Sequence, residues 1–380
     1  MSERSRELFV ELLKSALWGR PFGVERFDVD EVIPWGEILT MAQNHAVLGL
    51  LFVAIGELPR DKQPSAESYK RLYGVVARTR QTHALHRAVI AKVVNHLAQG
   101  GVEAESVVLL KGEEVAKLYC DPTLRTCGDV DLWVDAENYE RALRLLREIG
   151  VEPREREAME KHDTLVVDGV TIELHDHVVG ELAQLHQRAS FEAWTRGLMR
   201  RENFESAEIE GAQLSLLSKG CGVVYLFLHG WQHLESDGLG FRQICDWTLM
   251  LNRDMESVDW AEVRTRLQRY GLLRAWYLFE KVGVEWLGLD HAKAPFWSEN
   301  DMKIPDTLAE KIYVGGNFGF HGSTFSKNAD GSFGGKLSSI AKMWRCSMML
   351  WGVDRRYAVE YFLASMRSGF VRLFWREADR

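Results

Sequence analysis

The chain has 380 residues, of which 46% are hydrophobic and 27% charged, as expected for a folded globular protein of two or three domains. Its formal net charge of −8 excludes a global basic field, which argues against a nucleic acid partner. The longest apolar run, 46–55, is too short to span a bilayer, and the N-terminus lacks the apolar core of a signal peptide. Five scattered cysteines without a Cys-x-x-Cys pair are typical of free thiols in a reducing compartment. We therefore expect a cytoplasmic protein with no membrane partner.

Residues 1–101 are predicted to form an N-terminal helical region. Apolar side chains recur at helical spacing between Leu8 and Leu17, and a polar break over 58–65 precedes a long helix over about 66–99. His83 and His86 on this helix are predicted to lie on a solvated face, and the alternative is that they face the active site. This region offers packing surface to whatever follows it.

Residues 102–180 change character and are predicted to form a mixed α/β unit. Strands and helices alternate here, over 106–110 (strand), 112–120 (helix), 129–134 (strand) and 136–149 (helix). A hairpin follows, with strands 164–167 and 170–175 joined by Asp168-Gly169, a dipeptide that favours a tight turn. The unit is small, so we expect it to pack against the flanking helices.

Residues 181–300 are predicted to return to helix, and the many tryptophans there indicate packing between helices. The last region, 301–380, begins with a Gly-rich surface loop over 315–335, and loops of that length are either functional or mobile. Two final helices are predicted over 336–351 and 354–373.

Two aspartates on the strand 129–134 are the strongest chemical signal. Asp129 and Asp131 occupy alternate positions, so their side chains project from the same face. Two like charges side by side are costly unless a cation neutralises them, and Mg²⁺ binds one or two carboxylates together with substrate phosphates. Upstream, Lys111-Gly112 ends an apolar strand, where glycine permits close approach of the backbone to a phosphate. The pattern predicts a site for a metal and a nucleotide.

Three motifs resemble the uncharacterised nucleotidyltransferase family of the DNA polymerase beta-like nucleotidyltransferase superfamily. They are Leu110-Lys111-Gly112, then Arg125-x-x-Gly128-Asp129-x-Asp131-Leu132-x-Val134, and Ile172-Glu173-Leu174-His175. The resemblance is specific over about 105–180 and looser through the segments 229–233 and 242–246. The wider superfamily has Gly-Ser or Gly-Gly where this chain has Lys111-Gly112, which is normal in the closer family.

The resemblance implies an α+β fold, with a small mixed-sheet nucleotidyltransferase palm flanked by N- and C-terminal helical regions. It implies metal-dependent transfer of a nucleoside monophosphate, with AMP from ATP as the first choice, to a hydroxyl-bearing acceptor with release of pyrophosphate. Asp129, Asp131 and Glu173 are then the catalytic metal ligands, for two Mg²⁺ ions or for Mn²⁺. The alternative role for Glu173 is that of a cross-strand partner for an arginine or lysine.

The remaining candidates surround that triad. Lys111, Gly112, Arg125 and Gly128 are predicted to contact the nucleotide phosphates, while a structural pair between Arg125 and a carboxylate is an equal alternative. A substrate pocket is predicted from side chains that include His175, His229, His233 and Arg242. Other readings stay open: partly buried histidines, a zinc-binding histidine pair, and a simple i,i+4 ion pair between Arg242 and Asp246.

Two rival functions use the same residues. One is a non-catalytic, nucleotide-binding regulatory protein, and the other is a metal-dependent phosphohydrolase. The acceptor, a small molecule or a peptide or protein, is not specified by any of these motifs.

Overall fold

The computed structural model describes residues 2–20, 32–153, 162–178, 187–236, 238–316 and 333–378. Its fold is α+β, as predicted, and combines one mixed sheet with long stretches of helix. The described strands are β1 (Val107–Leu109), β2 (Val130–Val134), β3 (His162–Val167), β4 (Val170–His175), β5 (Phe204–Ile209) and β6 (Ala212–Leu217).

The six strands form one sheet in the order β3-β4-β2-β1-β6-β5. β2 runs parallel to β4, and β1 runs parallel to β6, while the other neighbours are antiparallel. In the central parallel pair Asp131 lies opposite Glu173, and Trp133 lies opposite His175. The register therefore places two of the predicted site residues side by side on one face of the sheet.

The described helices before and within the sheet region are α1 (Glu3–Trp18), α2 (Trp35–Asn44), α3 (Leu48–Gly56), α4 (Ala66–Gln99), α5 (Glu113–Ala116) and α6 (Tyr139–Ile149). Those that follow are α7 (Arg188–Leu198), α8 (Lys219–Ser236), α9 (Phe241–Leu251), α10 (Trp260–Arg269), α11 (Leu273–Lys281), α12 (Asp306–Gly315), α13 (Phe333–Trp351) and α14 (Arg355–Ala378). None of the helices in these ranges combines the length and the apolar composition that a bilayer crossing requires.

The sheet separates two hydrophobic cores, because alternate strand residues face opposite sides. Leu132 and Ile172 are fully buried on the side where α4 and α6 contribute Val93 and Leu146. Trp133 points to the other side, toward the larger core of the helical regions. Since Asp131 has the same parity as Trp133, the acidic face of the sheet looks toward those helices.

Residues 204–217 correct the expectation that 181–300 is helical throughout. They form the β5–β6 hairpin, and β6 extends the sheet by pairing with β1. The turn is Glu210-Gly211, where both residues have positive φ, 47° and 80°. β6 is buried at nearly every position, so it lacks the alternation that reveals a half-buried strand. The sheet thus continues past residue 180, and the proposed division into four regions stays a prediction.

Helix α4 spans the predicted 66–99, and the Ser65 side chain caps it by accepting a hydrogen bond from the Ser68 N–H at 3.3 Å. The prediction of a solvated face for His83 and His86 is wrong, since they are only 4% and 8% exposed. His83 Nε2 lies 3.1 Å from a carboxylate oxygen of Glu113 at the start of α5. A helix that packs on a sheet buries polar residues as well, provided that they find partners there.

The other differences are shifts of element ends. The helix predicted over 112–120 is the single turn α5, and the two final helices begin and end within a few residues of their predicted positions. The Gly-rich loop predicted over 315–335 lies for the most part outside the described residues.

Helix α3 packs closely on the loop that carries Arg125, and Gly49 makes this possible. A Cβ at Gly49 would lie 2.4 Å from the Leu124 carbonyl oxygen, which is backbone and cannot swing away. We expect Gly49→Ala to lower the free energy of unfolding by about 1–3 kcal/mol, because α3 must move. Urea denaturation followed by circular dichroism measures this change.

Gly74 on α4 is the matched control. A Cβ there would meet nothing within 4 Å, so Gly74→Ala removes only the flexibility of glycine and should stabilise the protein by about 0.5–1 kcal/mol. Equal effects of the two substitutions would contradict the close approach of α3 to Leu124.

A buried carboxylate, Glu235, joins α8 to the two C-terminal helices. Its side chain accepts a hydrogen bond from the Tyr357 hydroxyl, which itself accepts one from Trp231 Nε1 at 3.0 Å. Its carbonyl oxygen accepts from the Cys346 thiol at 2.9 Å and from the Tyr361 hydroxyl at 3.1 Å. Burial raises the pKa of Glu235 to about 8.

That pKa predicts a loss of stability as the pH rises from mildly acidic to mildly alkaline. The ordinary pKa is 4.5, so the folded state holds a proton that the unfolded state releases, and stability falls as pH rises from 4.5 through about 8. Glu235→Gln cannot ionise and should be more stable than wild type by roughly 2–4 kcal/mol at about pH 9, with little difference near about pH 5. Urea denaturation across this pH range tests it, with the exposed Glu256→Gln as control. A constant difference at all pH values would contradict it.

Candidate active site

Three carboxylates converge at the start of β2, on the face of the sheet that is turned toward the helices. One oxygen each from Asp129, Asp131 and Glu173 lies within 4.8 Å of the others. Asp131 is fully buried, while the side chains of Asp129 and Glu173 keep 22% and 20% exposure. The parallel pairing of β2 with β4 produces this convergence, because it sets Asp131 opposite Glu173. One carboxylate of the cluster, Asp131, is therefore closed off from solvent, and the other two are accessible from solvent.

Lys111 lies against two of these carboxylates. Its Nζ is 2.9 Å from Asp131 Oδ2 and 3.4 Å from Asp129 Oδ1. The pairing of β1 with β2 continues one residue beyond β1, with the Leu110 N–H donating to the Asp131 carbonyl at 3.0 Å, and this carries Lys111 to the aspartates.

The charges in this contact stabilise one another. Burial acts to lower the pKa of Lys111, but Asp129 and Asp131 outweigh it and raise that pKa above its ordinary value. Burial acts to raise the pKa of Asp131, and Lys111 together with His175 holds it well below its usual range. Both groups are therefore charged near neutral pH.

His175, predicted to line a substrate pocket, lies instead within the carboxylate cluster and is fully buried. Its Nε2 is 3.1 Å from Asp131 Oδ1 and 3.5 Å from Glu173 Oε2. Burial raises the pKa of Glu173, and the charges of Asp131 and Asp129 add to this, while the hydrogen bond from His175 opposes it.

His162 also belongs to this group, and sequence reasoning missed it. Its Nε2 lies 3.4 Å from Glu173 Oε1, and its ring centroid lies 5.0 Å from that of His175. The hairpin was predicted to begin at 164, whereas β3 begins two residues earlier and sets His162 opposite His175. The predicted second strand already ended at His175. Extending the predicted first strand by two residues, from 164 to 162, would have paired His162 with it and found this contact.

A pocket opens beside the cluster, between the sheet and the helices α8 and α9. It is lined by Lys111, Gly112, Arg125, Gly128, Asp129, Leu226, His229, Arg242, Gln243 and Asp246. All four predicted phosphate contacts and two of the four predicted pocket residues are in this set, so the structure brings them together around one opening.

His229 and His233 share one face of α8, as their spacing predicts. His229 Nε2 lies 3.1 Å from Lys111 Nζ and 3.0 Å from His233 Nε2. The ring of Tyr225 stacks on His229 with centroids 5.7 Å apart. This helix therefore forms a wall of the pocket and reaches the lysine next to the carboxylates.

Gly112 has φ +104°, a conformation that favours glycine, and a Cβ there would meet nothing within 4 Å. The backbone at this position is thus open to the pocket. Helix α5, which begins at the next residue, has one turn only, so the expected contribution of its N-terminus to anion binding is small. At this turn, the groups able to contact a phosphate are therefore the Lys111 ammonium group and the open backbone of Gly112.

Arg125 is anchored, since its Nε and Nη2 donate to the two carboxylate oxygens of Asp246 at 2.8 and 2.6 Å. The Tyr119 hydroxyl donates to the same carboxylate at 2.6 Å. Arg125 therefore forms the structural pair with a carboxylate that was its alternative assignment, and Asp246 also acts on Arg242 through its charge. Arg242 instead donates to the Thr126 carbonyl at 2.8 Å, and this holds the loop before Gly128.

The two arginines differ in electrostatics. Burial acts to lower the pKa of Arg125, and Asp246 more than offsets this and raises it. Burial lowers the pKa of Arg242, and the neighbouring Arg125 lowers it further. Both guanidinium groups line the pocket together with Asp246, whose carboxylate pairs with Arg125.

The carboxylate cluster fits a divalent cation by its donor chemistry. Asp129, Asp131 and Glu173 offer oxygen ligands only, which suits Mg²⁺ or Mn²⁺. The two partly exposed members leave room for oxygen atoms of a substrate at the rim.

Comparison with known proteins gives one match. The family model described as uncharacterised nucleotidyltransferase matches residues 31–288, which contain the whole sheet, the carboxylate cluster and the pocket wall. No curated protein and no solved structure matches the chain.

Proposed function

The chain belongs to the family of uncharacterised nucleotidyltransferases, and on this premise we propose that it transfers a nucleoside monophosphate to an acceptor hydroxyl and releases pyrophosphate. ATP is the proposed donor. The observation that carries the proposal is the convergence of Asp129, Asp131 and Glu173 beside a pocket that begins at Lys111-Gly112. Family membership supports nucleotidyl transfer in general, and this geometry supports the metal-dependent form of it.

Mg²⁺ or Mn²⁺ held by the three carboxylates, with two ions as the expected number, would supply charge for the triphosphate and a lower pKa for the acceptor hydroxyl. The protein supplies the rest. Asp131 is fully buried and fixes the cluster, whereas Asp129 and Glu173 are partly exposed and can reach substrate atoms. One of these two also accepts the proton of the attacking hydroxyl.

The pocket walls position the substrates. Lys111 directs its ammonium group at the cluster, and in this proposal it contacts a β- or γ-phosphate, while Gly112 lets the phosphates approach the backbone. Arg125 and Arg242 hold the loop that leads to Gly128, and their charge faces the pocket. His229 and His233 form the wall that an acceptor would contact.

A small molecule or a peptide or protein is the proposed acceptor class. The net charge of −8 argues against nucleic acid, which needs a basic surface. A cytoplasmic location belongs to the same proposal, because nucleoside triphosphates are available there and thiols stay reduced. All five cysteines are free, which agrees with such a location.

Incubation with α-labelled nucleoside triphosphates, Mg²⁺ and panels of hydroxyl-bearing acceptors tests the proposal. The expected result is pyrophosphate release together with label on the acceptor, strongest with ATP and absent after EDTA. Release of inorganic phosphate would overturn it in favour of a phosphohydrolase. Tight nucleotide binding without any product, across all acceptors, would overturn it in favour of a regulatory nucleotide-binding protein.

A further inference from the structure

We infer that His162, Glu173 and His175 form a second metal site, which takes a transition metal of the Zn²⁺ type. One ligand atom from each of the three residues lies within 4.8 Å of the others. The site is separate from the oxygen-only cluster in ligand chemistry and touches it through the shared Glu173. It stands on the geometry of these three side chains and does not depend on nucleotidyl transfer.

Each imidazole lies close to one of the two oxygens of Glu173, at nearly the spacing of two ligands on one tetrahedral metal ion. The separation of His162 Nε2 from Glu173 Oε1 is 3.4 Å, and that of His175 Nε2 from Glu173 Oε2 is 3.5 Å. Bonds of about 2.0–2.1 Å at tetrahedral angles place neighbouring ligand atoms about 3.3 Å apart. A zinc ion would therefore need the two imidazole nitrogens and one carboxylate oxygen, which lie within 4.8 Å of one another, to draw closer together.

The backbone holds these ligands in place before any metal arrives. His162 and His175 are directly opposite each other in the antiparallel pair β3–β4, and Glu173 follows two positions from His175 on the same face. Ligands on paired strands are positioned more rigidly than ligands on loops. His175 is fully buried, and His162 keeps 18% side-chain exposure, which gives the site a path to solvent.

Ligand type distinguishes the two sites. Two imidazoles with one carboxylate suit Zn²⁺ and its neighbours in the first transition row, whereas oxygen ligands alone suit Mg²⁺. Three protein ligands with an open fourth position is the arrangement of reactive zinc sites rather than of closed structural ones. Glu173 belongs to both groups of ligands and has two oxygens, so a carboxylate bridge between the two sites is within its reach.

The competing explanation is that the imidazoles only hydrogen-bond to the carboxylates. The 3.1 Å contact of His175 with Asp131 is of that kind. A metal titration separates the two explanations, because hydrogen bonding alone gives no tight binding of a transition metal.

Co²⁺ is the probe, since its visible absorption reports low coordination number with nitrogen and oxygen ligands. Tag-free full-length protein is titrated with Co²⁺, and Zn²⁺ is then added as competitor. We expect one Co²⁺ per chain with the absorption of a low-coordinate site, displaced by Zn²⁺. His162→Gln should weaken Co²⁺ binding by at least about tenfold, while circular dichroism shows an unchanged fold.

Two control variants make the assignment specific. His233→Gln removes one of another pair of imidazoles, 3.0 Å apart on α8, and should leave Co²⁺ binding unchanged. Asp129→Asn should weaken Mg²⁺ binding and leave the Co²⁺ spectrum in place, because Asp129 belongs to the oxygen cluster alone.

The proposal is overturned if Co²⁺ produces no spectral change at millimolar concentration, if His162→Gln binds as tightly as wild type, or if the signal is lost in His233→Gln instead. Its failure is distinct from failure of the proposed function, which is measured by pyrophosphate release. Co²⁺ binding without any transfer would leave this site standing, and transfer with Mg²⁺ alone in a protein that does not bind Co²⁺ would leave only the oxygen cluster.

Discussion

Asp131→Asn is expected to lower the rate of pyrophosphate release by about a thousandfold, which corresponds to about 4 kcal/mol in the barrier. Asparagine keeps the shape of aspartate, so the fully buried position stays filled. What disappears is one negative charge from a cluster whose proposed task is to bind divalent cations. Lys111 then faces Asp129 alone, which weakens cation binding further.

The measurement is the initial rate with ATP and Mg²⁺, accompanied by circular dichroism to show that the variant is folded. Asp135→Asn is the matched control: Asp135 follows β2 directly, but its carboxylate accepts from the Asn138 N–H at 2.9 Å and is not part of the cluster. Asp135→Asn should retain nearly full activity. A folded Asp131→Asn variant with wild-type rate would remove the metal role from Asp131.

Asp246→Ala is expected to destabilise the protein by about 3–5 kcal/mol, because it leaves the Arg125 guanidinium buried without its carboxylate. Both side chains of this pair are at most 7% exposed, and Tyr119 loses its acceptor as well. Urea denaturation at neutral pH gives the change in the free energy of unfolding.

The pair Arg264–Glu299 is the matched control, since it is also bidentate, at 2.7 and 2.8 Å, but lies at the surface. Glu299→Gln should cost less than about 1 kcal/mol. A small cost for Asp246→Ala combined with loss of transfer would show that Arg125 acts on the substrate rather than as an anchor. That outcome would revive the phosphate contact that sequence reasoning weighed equally.

Local pattern was sufficient for the position of each acidic residue along its own strand, but not for how the strands pair. Alternation on β2 placed Asp129 and Asp131 on one face, and the Asp168-Gly169 turn fixed the hairpin that presents Glu173. That Glu173 meets the aspartates came from the family resemblance, because the parallel pairing of β2 with β4 leaves no mark in either strand alone.

Contacts between distant segments could not be predicted for the same reason: a pairing leaves no mark in the sequence of either segment alone. Asp246 had an obvious partner four residues away, yet it binds Arg125, which is 121 positions away. The buried β6 strand shows no regular alternation of buried and exposed residues. Its partner β1 has only three residues, which is too short for its sequence to indicate which strand pairs with it. Side chains choose among chemically equal partners by three-dimensional proximity, which composition and spacing do not encode.

The contact of Lys111 with Asp129 and Asp131 has a consequence for the state of the protein before any metal or substrate binds. The lysine is a built-in counter-ion, so the acidic cluster can assemble during folding without any metal. In the proposed reaction, divalent cations would displace the ammonium group from the carboxylates, and that group would then be available to the triphosphate. Chelation should accordingly silence the protein while leaving its melting temperature almost untouched.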